Sequence, residues 1–511
     1  MFSLIFVALV TVFIATAYLY AKNSLSYWKR KKVPFIKPTF PFGNFKDTFL
    51  QRISFAERIK EIYNSSSEPF IGIYSTIFPA LMIRDPKIIQ DILIRDFASF
   101  HDRSFYFSSN VDPMAENLLL QRGEKWRYFR SKLTPAFSSS KLKAMFGTVV
   151  KCSNSLEEYF EKFAVSGDTL DVREAFACYA TNVISSIGFG IQIDCIKDPD
   201  SEFRRYGKKI FQPSIRRAFR AVAFLNPILV KIFRIRFTDK DVADFMIDTV
   251  RQNLEYREKN NIVRKDFFQL LIQLRNMGTV QEDGDDWSIN VSHNNKSLTY
   301  EEMAAQSFLF FAGGFETTSS TMAFCMYELA RNPDIQQRAY EDIDMILQKY
   351  DGVLSYDSIM EMKYIKCCID ETLRMYPPFA TLPRECTKNY KFSGSDYVIE
   401  KGTPILIPTI GLQHDPKYFH QPNEFIPSRF DEKITNGKDF TEMPFLSFGL
   451  GPRSCIGVRL AKLQTKIAII LLLRKFQFDL GEEHWGKQIK LNPKSQFIAP
   501  INGIQLKVRF R

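Results

Sequence analysis

Apolar and polar positions divide the chain into one uncharged block, a basic and Pro-rich stretch, and a long region of helical periodicity. Phe2 to Ala21 carries no charge and is long enough to cross a bilayer as a helix. Lys22, Trp28 and the run Lys29-Arg30-Lys31-Lys32 follow, then Pro34, Pro38, Pro41 and Gly43, the composition of a stiff link. Beyond it, apolar residues recur mostly at helical spacing. Strand-like pieces are short: Ile71 to Ser75, Ala80 to Arg84, Lys391 to Phe392, Tyr397 to Ile399, Pro404 to Ile407 and Ile501 to Phe510, with Asn502-Gly503 reading as a hairpin turn. No internal repeat or interdomain linker interrupts the pattern. It predicts a mainly α protein: an N-terminal membrane anchor over 1–21, a basic, Pro-rich linker over 22–44, and one large helical domain with small edge β-sheets over 45–511.

Two predicted helices carry unusual chemistry. Thr299-x-x-Glu302 is a capping box that opens a helix running to Asn332-Pro333. In its middle stand Gly313-Gly314-Phe315-Glu316-Thr317-Thr318. Each central glycine costs about 1 kcal/mol against alanine. The pair either allows close helix packing or opens a notch, in which the Thr317 hydroxyl competes for the Gly313 carbonyl and bends the helix. Such a notch sets an alcohol beside the Glu316 carboxylate, suited to holding O2 and relaying protons. Phe308, Leu309, Ala312 and Gly313 fall on or beside the Thr317 face. The second helix opens at Cys455, after Phe448-Gly449-Leu450-Gly451-Pro452-Arg453-Ser454. Gly449 and Gly451 suit a tight turn with positive φ or close backbone approach. Cys455 is either a buried inert thiol or a thiolate favoured by the helix N-terminus and by Arg453. Gly457 leaves the first turn bare for a flat ligand.

Other candidates are less distinctive. Trp126 and Arg130 share a helix face after an aromatic loop that includes Phe107 and Arg103. Glu371 and Arg374, spaced i, i+3, form an ordinary ion pair in isolation. Phe203 to Phe237 mixes apolar and basic residues, as either a core helix pair or a lip that dips into a membrane. Gln281 to Asn295 reads as an exposed polar loop.

Composition narrows the classes. With 511 residues, 45% hydrophobic composition and 48 phenylalanines, the chain can bury a large apolar interior. Its formal net charge of +12 admits nucleic acid, a membrane or an acidic protein as partner. No basic block lies beyond the N-terminus, so no nucleic-acid partner is expected. The eight cysteines have no framework or C-x-x-C spacing, which argues against disulfides, zinc and iron–sulfur sites. Basic residues follow the apolar block and none precedes it, so the N-terminus faces the lumen and the rest is cytosolic. The sequons at Asn64, Asn290 and Asn295 would then be unused. A cleaved signal ending near Ala15-Thr16-Ala17 is the alternative, weakened by the missing basic n-region.

The string Phe448-Gly449-x-Gly451-x-Arg453-x-Cys455-x-Gly457 resembles the haem-binding loop of the cytochrome P-450 family. Gly313-Gly314-Phe315-Glu316-Thr317-Thr318 resembles its oxygen-binding motif. Trp126-x-x-x-Arg130, Glu371-x-x-Arg374 and Pro427-Ser428-Arg429-Phe430 follow the family's order across nearly the whole chain. Ser428 replaces the more typical acid and leaves Arg429 in place. RKDFFQLLIQLRN, FFAGGFETTSS and GLQHDPKYF look most like the insect microsomal xenobiotic-metabolising group.

This resemblance implies a haem (heme b) whose iron is ligated axially by Cys455, with Phe448 and Gly457 in the cofactor loop. It implies Trp126, Arg130, Arg384 and Arg453, with Arg103 beside them, on the propionates. Glu371, Arg374 and Arg429 would form a buried structural triad. Thr317 and Glu316 would deliver protons, and Phe107, Phe308, Leu309, Ala312, Gly313, Phe379, Thr381 and Leu382 would line the substrate space. The implied activity is an NADPH-dependent monooxygenase (EC 1.14 type) acting on lipophilic small molecules: xenobiotics, terpenoids, steroids or fatty acids. Its electrons would come from NADPH–cytochrome P-450 reductase, with cytochrome b5 as a further partner, at the endoplasmic reticulum membrane. A haem-thiolate isomerase or dehydratase acting on peroxides, and a non-catalytic haem carrier or sensor, are the rival readings. A basic face of Lys125, Arg127, Lys132, Lys141, Lys143, Arg459 and Lys462 is expected to steer the acidic reductase.

Overall fold

A computed structural model describes residues 2–212, 227–280, 287, 298–392 and 397–511. The helix Tyr300–Arg331 is its axis. The capping box forms as expected: the Glu302 N–H donates to Thr299 Oγ1, and the Thr299 N–H donates to the Glu302 carboxylate, both at 3.1 Å. These bonds satisfy two amides that a helix start leaves free. Most of the axis is buried because helices pack on several sides. Val172–Ile184, Lys240–Asn260, Lys363–Met375 and Val458–Lys475 all contact it.

Nine short strands border this helical core among the described residues: β1 Phe70–Ser75, β2 Phe78–Ile83, β3 Thr169–Asp171, β4 Leu382–Glu385, β5 Tyr390–Lys391, β6 Val398–Ile399, β7 Pro404–Ile407, β8 Phe476–Leu480 and β9 Gln505–Phe510. They form a four-stranded sheet in the order β1-β2-β7-β4, a three-stranded sheet β3-β9-β8 and the pair β5-β6. In the first, β2 runs parallel to β7 while β4 is antiparallel to it, with Arg384 opposite Ile405. The mainly α architecture with small edge sheets is therefore as expected. β3, β4 and β8 were not anticipated, since such short pieces scarcely display a strand period. Asn502-Gly503 forms a bend before β9 rather than a hairpin turn. The partners of β9 are the remote β3 and β8, and a Cβ on Gly503 would lie 2.3 Å from the Asp171 carboxylate.

The N-terminal helix Phe2–Leu25 contains a 21-residue segment, Ile5–Leu25, of mean hydropathy 1.9. It fits a membrane anchor. The following stretch packs on the domain. Trp28 is fully buried, and its indole N–H donates to the Ile73 carbonyl at 3.0 Å. Gly72 makes room for it: a Cβ there would come 2.5 Å from the Trp28 ring. Of the expected apolar lip, residues 213–226 lie outside the described residues, while Ile232 and Phe233 are exposed. Most of the 281–295 loop also lies outside them. Trp287, expected on that exposed loop, is buried in the core instead, with Lys141 over its ring at 4.5 Å.

Candidate functional site

The loop before Cys455 owes its shape to its glycines. Gly449 and Gly451 both have φ of +73°, a region side chains disfavour. A Cβ on Gly451 would also lie 2.0 Å from the Leu93 carbonyl oxygen. The loop folds back so that the Cys455 N–H donates to the Phe448 carbonyl at 2.8 Å. The following helix starts at Val458, three residues beyond Cys455 and not at it. The thiol is accessible, yet burial pushes its pKa above the ordinary thiol value. The Gly457 N–H, Arg130 and Arg103 pull the other way without overcoming burial. The expectation that a helix terminus and Arg453 would lower the thiol pKa is therefore corrected. Desolvation of a charged sulfur outweighs these contributions in the protein alone.

Four guanidinium groups gather around this loop. Arg130, on the helix Gly123–Leu133, donates to the Ser454 carbonyl at 2.8 Å. Arg103 donates to the carbonyls of Leu119 at 2.8 Å and Arg453 at 3.4 Å. Arg453 is buried, stacks on the Trp126 ring at 4.1 Å, and donates to the carbonyls of His101 and Gln121. Arg384 is 1% exposed on β4. Burial, then repulsion from Arg103, pushes Arg384 down to about 9 and Arg453 to about 8. Burial and Arg130 push Arg103 down to about 10. The Arg384 Nε is buried with no hydrogen-bond partner. Cations crowded together, one of them with a buried N–H that finds no acceptor, match a ligand that brings its own carboxylates. A haem with two propionates fits this cluster.

The axial helix uses its two glycines differently. Gly313 is exposed, and a Cβ there would meet nothing within 4 Å. A Cβ on Gly314 would lie 2.5 Å from Ile184. Thus Gly313 faces open space while Gly314 permits close packing on Ile184. The Thr317 hydroxyl donates to the Gly313 carbonyl at 2.6 Å, while Thr318 is buried. Glu316 is held by Arg173 at 2.5 Å, a partner that sequence spacing could not supply.

The remaining site residues are more scattered. Phe308 is buried, while Leu309, Ala312, Phe107, Thr381 and Leu382 are half-buried. Leu382 reaches to 4.0 Å from a Cβ built on Gly449, which links β4 to the cysteine loop. Phe379 is exposed and packs on Phe497 with centroids 5.0 Å apart. Phe497 packs on Phe211 at the same separation. Phe211 and Phe497 were missed because neither belongs to a motif. A small void of about 30 Å³ joins Thr317 and Thr318 to Phe448 and Lys462.

Beneath the loop, the Arg374 guanidinium grips Glu371 through two bonds of 2.7 and 2.9 Å. Arg429 Nε donates to Glu371 Oε1 at 3.2 Å, and the Ile426 N–H adds a further bond. Glu371 and Arg374 are fully buried, so each charge needs the others. Gln413 extends this network. Its amide donates to the carbonyls of Leu373 and Arg374, and its oxygen accepts the Leu446 N–H at 2.7 Å. The helix bearing the triad is thereby tied to the cysteine loop. The signal for Gln413 is a lone side-chain amide closing the short, uncharged helix Thr409–Gln413.

The expected basic face is smaller than anticipated. Lys141 is buried. Lys125 pairs with Glu116, Lys143 with Asp357 and Lys462 with Asp370. Arg127 and Arg459 remain exposed, and Lys132 lies over Tyr128.

Comparison with known proteins agrees with this geometry. The cytochrome P450 family model matches residues 38–508. Probable cytochrome P450 6d5 of Drosophila melanogaster is 41% identical over 91% of this chain and 92% of its own. Cytochrome P450 6k1 of Blattella germanica is 36% identical, covering 98% and 96%. Cytochrome P450 6d3 of Musca domestica is 35% identical, covering 98% and 97%. With the fold, the cysteine loop and these likenesses together, the chain belongs to the cytochrome P450 family, whose haem is ligated through a cysteine thiolate.

Proposed function

We propose that this protein is a membrane-anchored haem-thiolate monooxygenase of lipophilic small molecules, with electrons delivered from NADPH through a reductase. Cys455 would ligate the iron, and Arg103, Arg130, Arg384, Arg453 and Trp126 would hold the propionates. The haem, when bound, supplies the O2-activating chemistry that places one oxygen atom in the substrate and releases the other as water. The protein's own residues orient, exclude water and move protons. Thr317 presents a hydroxyl in the notch at Gly313. Glu316 is 8% exposed and pairs with the half-exposed Arg173, which gives a charged route from the outer surface towards that hydroxyl. The exposed Phe379 and the open face of Gly313 favour apolar substrates.

The observation that carries this reading is the bond from Thr317 to the Gly313 carbonyl in a helix that lacks a side chain at Gly313. It sets a proton donor beside free space. A peroxide-consuming isomerase or a haem carrier has no use for that donor. Reconstitution with reductase tests the reading: NADPH consumption should accompany a product carrying one added oxygen. Haem-dependent turnover of a peroxide with no NADPH requirement would overturn it. The apolar helix Phe2–Leu25 and the basic run after it support an endoplasmic reticulum anchor with the domain on the cytosolic side. Cytochrome b5 is a further candidate electron donor.

A further inference from the structure

Among the four clustered guanidiniums, Arg453 has a carboxylate close by. Asp102 is 6% exposed, and its Oδ1 lies 3.5 Å from Arg453 Nη2. The same oxygen accepts the Gly123 N–H at 2.8 Å, at the start of the helix that carries Trp126 and Arg130. Its Oδ2 lies 3.4 Å from Arg122 Nε, and His101 Nε2 lies 3.6 Å from Oδ1. The backbone is fixed as well. Asp102 forms an isolated bridge with Glu385, whose N–H donates to the Asp102 carbonyl at 2.8 Å. Glu385 directly follows Arg384 and grips Arg122 through two bonds of 2.6 and 3.0 Å. Asp102 therefore touches the cysteine loop, the Trp126–Arg130 helix and the strand of Arg384 at one point.

We propose that Asp102 is a positioning residue that orients Arg453 and sets the net charge of the propionate pocket, holding the haem's reduction potential down. The proposal rests on the reading that the guanidinium cluster takes the propionates. With haem bound, the four guanidiniums would be opposed by two propionates and by Asp102, while the neighbouring charges of Arg122 and Glu385 pair with each other. Reduction adds an electron to the site. Surplus positive charge in a medium of low dielectric stabilises that electron, and a buried carboxylate opposes it. A neutral amide of the same shape retains an oxygen for the Gly123 N–H, so its chief effect is to remove the charge.

The test compares full-length holoproteins by spectroelectrochemical titration of the haem. Asp102→Asn should shift the midpoint potential to more positive values, while Asp102→Glu should restore it. An Asp102→Asn protein that binds haem at the wild-type potential overturns the proposal. Should Asp102→Asn retain too little haem to titrate, Asp102→Glu decides: wild-type haem content and potential support the charge role, and equal haem loss overturns it. Arg384→Ala, run alongside, should move the potential the opposite way. A shift there with none in Asp102→Asn removes only the role of Asp102. No shift in either removes the propionate reading itself.

Discussion

The Thr317 hydroxyl and the Gly313 carbonyl lie 2.6 Å apart, one helical turn from each other, with no side chain between them and the space beside the helix. The next residue back, Glu316, points elsewhere, to Arg173. In the proposed function these two adjacent residues would divide the work, one offering a proton at the notch and the other connecting to a surface cation.

Thr317→Ala removes the hydroxyl with little change in packing. Haem content and substrate binding should stay near wild type. NADPH should still be consumed, with more of it recovered as hydrogen peroxide and less as product. Losses of general acid–base groups run to about 100-fold or more in rate, so a several-fold fall in coupling is the smallest effect expected. Thr317→Ala/Thr318→Ala should uncouple further. Full coupling in both variants would make the notch a packing feature.

Gly313→Ala and Gly314→Ala should part company. The first adds a methyl group to open space and gains helix propensity, so stability should rise by up to about 1 kcal/mol, while the range of accepted substrates narrows. The second drives a Cβ to 2.5 Å from Ile184 and should destabilise by about 1–3 kcal/mol through overpacking. Thermal midpoints and substrate-induced spectral shifts of the two variants give the comparison.

Lys466 predicts a pH dependence of stability. It is 5% exposed, and its ammonium donates to the Ile359 carbonyl at 2.8 Å. Burial foremost, with repulsion from Lys366 and Lys462 partly offset by Asp342 and Asp370, lowers its pKa from 10.5 to about 8. Between these values the unfolded chain keeps a proton that the folded chain has released, so this group's contribution rises with pH across that window. Below about pH 8 the penalty is at its full size, about 3 kcal/mol. Lys466→Met should raise the thermal midpoint at neutral pH, and its advantage should shrink by about pH 10. An advantage independent of pH would show that packing, not charge, explains it.

For the reductase, Arg127, Lys132 and Arg459 are the residues to reverse, since Lys141 is buried and Lys125, Lys143 and Lys462 are already paired. Replacing two of the three with Glu should slow reductase-driven turnover and weaken its salt dependence. Peroxide-driven turnover should be unchanged. Equal losses by both routes would point to a damaged haem site.

The sequence alone determined the features whose physics is local. A capping box, two mid-helix glycines, a positive-φ loop ahead of Cys455 and an uncharged apolar block each act within a few residues, and each was legible there. Tertiary structure decided what depends on distant neighbours. It paired Glu316 with Arg173, tied Gln413 to the cysteine loop, placed Asp102 against Arg453, and set Phe497 between Phe211 and Phe379. It also decided the sign of the Cys455 shift and the burial of Lys141. Desolvation depends on how densely remote segments crowd a group, and spacing along the chain carries no measure of that density.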